Sequence, residues 1–249
     1  MKCKAHFRLP CLTRGCLALL GLLFSTTRAQ AQGSVSGKVE VERPAAKKPS
    51  AVLPAADAVV WFSALGEDAA SLPLKPSRSP QLIQRNKAFE PHVLVVEVGS
   101  VVQFPNKDPF FHNVFSLFDG KRFDLGLYEA GSSNSVRFDR PGISYLFCNI
   151  HPEMSAVVVA VPTAWFAVTD ASGRWTIPNV PDGRYRLHVW YERSSAEDLD
   201  KLRRDVQLSE SSRALDTVRL VDSGAPTAAH KNKYGKDYVP ASSPAYTNP

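Results

Sequence analysis

A cysteine, a histidine and a methionine lie within seven residues of one another, in the segment CNIHPEM at residues 148–154 of this 249-residue chain. Cys148, His151 and Met154 follow the spacing C-x2-H-x2-M. A thiolate, an imidazole and a thioether offered together suit copper, which cycles between a soft Cu(I) and a harder Cu(II). The segment therefore predicts a copper site.

The first 31 residues have the composition of an export signal. They contain no acidic residue, an apolar run of nine residues at 16–24, and the sequence Ala-Gln-Ala at 29–31. A basic start, a short apolar run and an A-x-A site are typical of a secretory signal peptide. Nine apolar residues are too few to span a bilayer. We expect residues 1–31 to be cleaved and the protein to be periplasmic or secreted, with no membrane span.

Removing this segment changes the composition. The whole chain has 30 Lys and Arg against 24 Asp and Glu, a formal charge of +6. The first 31 residues hold five of the basic residues and none of the acidic ones, which leaves 25 basic against 24 acidic residues. They also hold three of the four cysteines, so Cys148 remains alone and forms no intramolecular disulfide. Without a basic excess, nucleic acid is not an expected partner.

The rest of the chain is rich in short β-forming runs that are separated by Gly, Pro, Asn and Asp. Examples are the runs at 93–98, 101–104, 143–148, 156–161 and 185–191. No long stretch repeats apolar residues with helical periodicity, and one short helix is expected near 195–203. Many short strands with frequent turns predict an all-β fold built as a sandwich or barrel.

The predicted strands would position the metal ligands. The run ISYLFC ends at Cys148 and AVVVAV begins just after Met154, so a short turn would project all three side chains. Blue-copper sites need a second imidazole, and His112 in NKDPFFHNVFS is the best candidate. A packed sandwich would keep this geometry nearly unchanged between the two copper charges, which favours fast one-electron transfer.

Two longer patterns resemble the cupredoxins, the group of plastocyanin, amicyanin and methylamine-utilisation-type proteins. They are FEPHVLVVEVGSVVQFPNKDPFFHNVF and RPGISYLFCNIHPEMSAVVVAV, which together span 89–161. The resemblance implies a Greek-key β-sandwich with one type 1 copper ion. It implies His112, Cys148 and His151 as equatorial ligands and Met154 as the axial ligand. It also implies that the Asn113 side chain bonds the backbone of the ligand loop.

A different pattern follows at residues 166–192. T-D-x-x-G-x-W-x-I, then V-P-D-G-x-Y-x-L-x-V, resembles the carboxypeptidase regulatory-like (transthyretin-like) β-sandwich. Such modules open with a G-x-V-x-G-x-V strand, which GSVSGKV at 33–39 matches. We expect this N-terminal strand to pair with the C-terminal sandwich, with the cupredoxin inserted between them.

The expected organisation has six parts. They are a signal peptide at 1–31, N-terminal strands at 32–65, a loop at 66–88, a copper domain at 89–162, the second sandwich at 163–222 and a disordered tail at 223–249. Three histidines are expected to be structural or solvated and not ligands: His92, His188 and His230. Asp124 is expected to lie in a solvated loop.

The predicted function is one-electron transfer between redox partners, such as a cytochrome and a periplasmic dehydrogenase, without catalysis. Copper storage or delivery is a second hypothesis, although delivery usually uses several methionines and one remains here. A copper enzyme would need a second copper site, commonly with His-x-His pairs, which the sequence lacks. A structural or adhesive module with a vestigial copper site is a fourth hypothesis.

Overall fold

The computed structural model describes residues 32–43, 51–66, 79–117, 120–224 and 231–238. The predicted signal peptide at 1–31 and His230 lie outside the described residues. The elements in chain order are β1 (Gln32–Arg43), β2 (Ala51–Pro54), β3 (Val59–Ala64), β4 (Ile83–Arg85), β5 (Ala88–Glu90), β6 (Val93–Glu97), β7 (Val101–Pro105), β8 (His112–Ser116), β9 (Phe123–Tyr128), β10 (Ser133–Arg137), β11 (Gly142–Phe147), β12 (Ser155–Val161), β13 (Phe166–Val168), β14 (Arg174–Pro181), β15 (Gly183–Trp190), α1 (Ala196–Lys201), β16 (Arg204–Leu208) and β17 (Val218–Val221). The predicted all-β fold class is confirmed.

The strands between β6 and β12 form the first sandwich. A five-stranded sheet in the order β6–β12–β11–β8–β9 packs against the two-stranded sheet β10–β7. Between the sheets lies an apolar core that includes Phe104, Phe138, Leu146 and Val158, all fully buried. Cys148 and Met154 belong to the same core, so both ends of the loop that joins β11 to β12 are anchored in the interior.

The second sandwich contains both the first and the last strand. The sheet β14–β1–β17, with β2 paired to β1, packs against the sheet β13–β3–β15–β16. β1 is antiparallel to β14 and parallel to β17. β3 and β13 pair side by side, and the strands of the first sandwich lie between them in the chain. The first sandwich is therefore an insertion between two neighbouring strands of the second.

The glycine in the middle of β1 has a packing role. A Cβ atom on Gly37 would lie 2.5 Å from the Trp175 ring carbon Cζ2, closer than any side chain tolerates. Gly37 and Trp175 face each other across β1 and β14, and the ring covers the backbone where a side chain is missing. The contact thus pairs the glycine of the N-terminal segment 33–39 with the tryptophan of segment 169–177.

A third apolar layer joins the two sandwiches. It contains Val59 and Trp190 of the second sandwich, and Val157, Val159 and Val161 of β12. The intervening residues of β12 point into the first core instead. A strand buried on both faces needs apolar residues at every position, which is why β12 reads as a continuous apolar run.

The loop expected at 66–88 contains regular structure. Residues 83–85, within that expected loop, form β4. β4 and β5 make a hairpin whose turn residues Asn86 and Lys87 have φ values of 54° and 55°, the left-handed region that tight hairpin turns use. Leu82 and Phe89, on either side of the turn, are buried in the first core. The hairpin therefore packs with the first sandwich.

The short helix predicted near 195–203 is confirmed as α1. Ser195 caps it, because its hydroxyl accepts a hydrogen bond from the Asp198 backbone N–H. Among the described residues, no helix combines the length and the apolarity that crossing a membrane requires.

Candidate metal centre

Three potential metal ligands converge at one end of the first sandwich. The ligating atoms of His112, Cys148 and His151 all lie within 4.8 Å of one another. The Cys148 Sγ atom is 3.8 Å from His112 Nδ1 and 3.5 Å from His151 Nδ1. Both rings therefore present the same kind of nitrogen to the sulfur, and a metal ion bound there would meet one thiolate and two imidazoles.

The connection between β11 and β12 supplies two of these residues. Its ends are held together by a hydrogen bond from the Cys148 N–H to the Met154 carbonyl, at 3.3 Å. Inside the loop, the Met154 N–H donates to the His151 carbonyl at 3.1 Å. Met154 itself is fully buried in the same core as Cys148. The Met154 side chain thus belongs to the interior of the sandwich, whereas His151 is half-buried.

His112 begins β8 and is oriented by a carboxylate. Its Nε2 atom lies 2.8 Å from Asp108 Oδ2. The Asp108 carboxylate also accepts from the backbone N–H groups of Asn86, at 2.6 Å, and Lys87, at 3.0 Å. A carboxylate that accepts the Nε2 proton leaves Nδ1 with its lone pair free for a metal. The β4–β5 hairpin thereby helps to set the tautomer of a ligand.

These contacts also keep Asp108 ionised. Burial by itself disfavours the charged form of this carboxyl. The hydrogen bonds from Lys87, His112 and Asn86 outweigh that effect and lower the pKa of Asp108. A charged carboxylate is the stronger acceptor for the imidazole N–H.

His151 and Phe110 complete the surroundings of the two nitrogens. Burial and the neighbouring His112 lower the pKa of His151, so the ring is neutral and able to bind a metal at neutral pH. The two imidazole centroids are 4.8 Å apart, at an interplanar angle of 62°. The Phe110 ring packs against both, with centroids 5.2 Å and 5.5 Å away, which restricts how far either ring can turn.

The Cys148 thiol has a mixed environment. Burial raises its pKa, while backbone N–H groups of Asn113, Ile150 and His151 act in the opposite direction. N–H groups directed at the sulfur stabilise negative charge there, and a coordinated metal ion deprotonates a thiol outright. The site is therefore arranged for a thiolate whose charge is balanced by a bound cation.

The donor chemistry fits copper. Two imidazole nitrogens and one thiolate, with the Met154 thioether in the same core as the thiolate, form a combination of donors that suits copper. Zinc favours closed sets of Cys and His without a thioether. The orientation of His112 by Asp108 adds the outer support that metal-binding histidines usually have.

The role expected for the Asn113 side chain is wrong in its detail. The Nδ2 group donates to Asp124 Oδ1, at 2.7 Å, and to the Gly126 carbonyl, at 2.9 Å, both in β9. The pairing of β8 with β9 shifts register between Asn113 and Phe115, and this irregularity accompanies a side chain that faces β9. The backbone N–H of Asn113 is one of the three groups that lower the pKa of the Cys148 thiol.

The C-terminal segment 231–238 reaches the site, which the expectation of a disordered tail did not include. The Tyr238 hydroxyl donates to the Cys148 carbonyl at 2.7 Å. The Lys233 N–H donates to Asn149 Oδ1 at 3.0 Å, and its ammonium group lies 2.7 Å from Asp124 Oδ2. Asp124 is exposed, as expected, but it lies in β9 and not in a loop, and it links this segment to Asn113. No sequence pattern near these residues signals the contact.

The other described histidines lie outside the cluster. His92 bonds the Glu192 carboxylate at 2.7 Å and faces the Ser155 carbonyl at 3.2 Å. His188 stacks on Trp61, with ring centroids 4.9 Å apart and an interplanar angle of 5°. Both are engaged in packing or ion pairing, and neither belongs to the group of converging ligand atoms.

Comparison with known proteins finds similarity in solved structures alone. No protein-family model and no curated protein matches the chain. A purple cupredoxin from Nitrosopumilus maritimus is 23% identical, with a TM-score of 0.31, over 33% of this chain and 99% of that one. A copper-containing nitrite reductase from Thermus scotoductus SA-01 is 23% identical, with a TM-score of 0.33, over 37% of this chain and 24% of that one. A reduced amicyanin mutant is 22% identical, with a TM-score of 0.32, over 33% of this chain and 82% of that one. Each match covers a minor part of this chain, so the functional conclusion depends on the residues themselves.

Proposed function

We propose that this protein binds one type 1 copper ion and carries single electrons between redox partners outside the cytoplasm. His112, Cys148 and His151 are the main ligands, and Met154 is the weak fourth ligand. The observation that carries the proposal is the convergence of one buried sulfur and two Nδ1 atoms within 4.8 Å. Copper, when bound, supplies a one-electron cycle between Cu(II) and Cu(I).

The surrounding residues favour an electron carrier because they hold the ligands still. Asp108 sets the His112 tautomer, Phe110 packs on both imidazoles, and Cys148 and Met154 are anchored in the core. Ligands held in this way move little when the charge at the site changes by one. A small rearrangement is what fast electron transfer needs.

The exposed residues near the site suit brief contacts with a partner. His151 is half-buried, and Phe111, next to His112 in the chain, is 52% exposed. Leu127, which pairs with Asn113 across β8 and β9, is 59% exposed. Apolar side chains around a partly accessible ligand fit the small interfaces of transient redox complexes. A cytochrome or a periplasmic dehydrogenase is the kind of partner that we propose.

Copper delivery remains the second candidate function. A delivery protein exchanges its ion through accessible donors, whereas His112, Cys148 and Met154 are fully buried. Among the described residues, the His112–Cys148–His151 group is the one such cluster of His, Cys, Asp and Glu side chains. The burial of the donors supports retention of the ion and so the carrier function.

The proposed location follows from the first 31 residues. Their basic start, apolar run and A-x-A site favour export and cleavage. A protein exported in this way would meet copper and its redox partners in the periplasm or outside the cell.

Electrochemistry tests the carrier function against delivery. The mature protein is loaded with copper, and we expect a reversible one-electron wave with the ion retained through repeated cycles. Cys148→Ser should lose the wave, while His92→Ala, which removes a histidine outside the ligand cluster, should keep it. Loss of Cu(I) to a chelator at every reduction would favour delivery, and an irreversible wave from folded, loaded protein would contradict the carrier function.

A further inference from the structure

The C-terminal segment 231–238 is a compact turn that lies against the ligand loop. Asn232 organises it: its side-chain oxygen accepts from the backbone N–H groups of Tyr234 and Lys236, at 3.0 Å and 3.1 Å. The Asn232 N–H donates to the Lys236 carbonyl at 2.9 Å, and Gly235 has a φ of 74°. The turn therefore closes on itself and presents its side chains in defined directions.

Two hydrogen bonds join this turn to the loop that carries Cys148 and His151. The Tyr238 hydroxyl donates to the Cys148 carbonyl, and the Lys233 N–H donates to Asn149 Oδ1. Residues 148 and 149 form the first part of the loop, where the chain leaves β11. Tyr238 lies 90 positions from Cys148 in the sequence, so this hydrogen bond joins two distant parts of the chain at a proposed copper ligand.

A third contact reaches the other side of the site. The Lys233 ammonium group binds one oxygen of the Asp124 carboxylate, and the Asn113 amide binds the other. Asn113 follows His112 directly in β8. Lys233 thus contacts the ligand loop through its backbone N–H. Its ammonium group is also linked, through the Asp124 carboxylate, to the strand that carries His112.

We propose that segment 231–238 is a positioning element of the metal centre, which holds the Cys148–His151 loop in its binding geometry and slows the loss of the ion. This inference rests on the proposed copper site. Tyr238 and Lys233 add two hydrogen bonds to the first two residues of the loop, beside the core packing of Cys148 and the bonds within the loop. A loop that opens more often binds its ligand more weakly, because the binding-competent geometry is populated for a smaller fraction of the time.

Removing one hydroxyl tests the proposal in the full mature chain. Tyr238→Phe keeps the ring and deletes the hydrogen bond to Cys148. Tyr234→Phe is the matched control, since Tyr234 lies in the same turn and is 71% exposed. With a competing chelator, we expect Tyr238→Phe to bind copper about two- to tenfold more weakly, the loss typical of one hydrogen bond. Tyr234→Phe should match the wild type.

Hydrogen exchange in the metal-free protein gives a second readout that does not require copper. We expect amides of residues 148–154 to exchange faster in Tyr238→Phe than in the wild type or in Tyr234→Phe. Lys233→Met provides a second variant, because it removes the ion pair with Asp124 and keeps the backbone bond to Asn149. It should weaken copper binding in the same direction, which keeps the test informative if Tyr238→Phe folds poorly.

The possible results separate this inference from the copper assignment. If the wild type binds no copper, the proposed function fails, while the exchange data still show whether the segment holds the loop. If the wild type binds copper and Tyr238→Phe equals Tyr234→Phe in affinity and exchange, the positioning role is overturned. Faster exchange together with weaker binding in Tyr238→Phe alone supports it.

Discussion

The Nε2 atom of His112 lies 2.8 Å from Asp108 Oδ2, and its Nδ1 atom faces the Cys148 sulfur at 3.8 Å. The carboxylate receives two further N–H groups from the β4–β5 turn, so it is itself held in place. The tautomer that a metal needs is therefore set by the fold before any metal arrives. This relationship makes the site testable through a residue that is not itself a ligand.

Replacing Asp108 by Asn should weaken metal binding while leaving every ligand present. The amide is a weaker acceptor than the carboxylate. If its NH2 group faces Nε2, it donates to that nitrogen and favours the tautomer that carries its proton on Nδ1. We expect copper affinity to fall about ten- to a hundredfold, the usual cost of losing such an outer partner. Competition with a chelator measures the affinity.

Asp139→Asn is the matched control for that experiment, because Asp139 is an exposed partner of Lys121. Its copper affinity should equal that of the wild type. Equal affinities for Asp108→Asn and Asp139→Asn would show that the orientation of His112 by Asp108 has no role in metal binding.

Replacing Met154 by Leu should separate its packing from its donor role. Leu has a similar volume, so the free energy of unfolding of the metal-free protein should change by less than about 1.5 kcal/mol. Loss of a donor that stabilises the more highly charged ion should raise the reduction potential of the loaded protein. Voltammetry measures the potential. A potential unchanged from the wild type would rule out Met154 as a ligand.

The convergence of the proposed ligands is predictable from the sequence because rare residue types fall close together. After residue 31, the chain has one Cys and one Met, and both flank His151. His112 could be identified by the requirement for a second imidazole, and the structure brings its Nδ1 atom to the sulfur. The all-β class follows from short apolar runs between turn residues.

The supporting contacts are less predictable because they depend on long-range geometry. Asp108 precedes His112 by four positions on a turn, where no helical spacing indicates that their side chains meet. The Tyr238 contact spans 90 residues and leaves no periodic pattern. The direction of the Asn113 side chain depends on a register shift between β8 and β9, and register irregularities have no clear sequence signal.

The apolar layer shared by the two sandwiches should make them unfold together. Val159 points into that layer and is 1% exposed. Val159→Ala removes two buried methyl groups and should lower the free energy of unfolding by about 2 kcal/mol. We expect one cooperative transition in urea, displaced as a whole to lower concentration.

Val52→Ala serves as its control, since Val52 is 49% exposed and the change should cost less than about 0.5 kcal/mol. Two separate transitions, with Val159→Ala shifting just one of them, would mean that the sandwiches are independent folding units.

The His92–Glu192 pair should make stability depend on pH. The hydrogen bond that His92 donates to the Glu192 carboxylate raises the pKa of His92, although burial opposes this. A raised pKa in the folded state means that the pair stabilises fully below the ordinary histidine pKa and is lost as pH rises through the folded value. Glu192→Gln should therefore destabilise the metal-free protein more at about pH 5.5 than at about pH 8.5. Urea unfolding at the two pH values measures the difference.

Glu90→Gln is the control for the pH series. Glu90 pairs with Arg85 on an exposed hairpin, and arginine keeps its charge over this range. Its small effect should not vary between the two pH values. A loss of stability in Glu192→Gln that is equal at both values would contradict the assignment of the pH dependence to His92.

The most direct test of the central claim is the absorption spectrum of the mature protein after addition of one equivalent of Cu(II). A thiolate bound to Cu(II) together with two imidazoles predicts an intense blue charge-transfer band that saturates at one copper per chain. Cys148→Ser should abolish the band, and His92→Ala should retain it. Folded wild-type protein that takes up no Cu(II), or binds it without this band, would contradict the type 1 copper site.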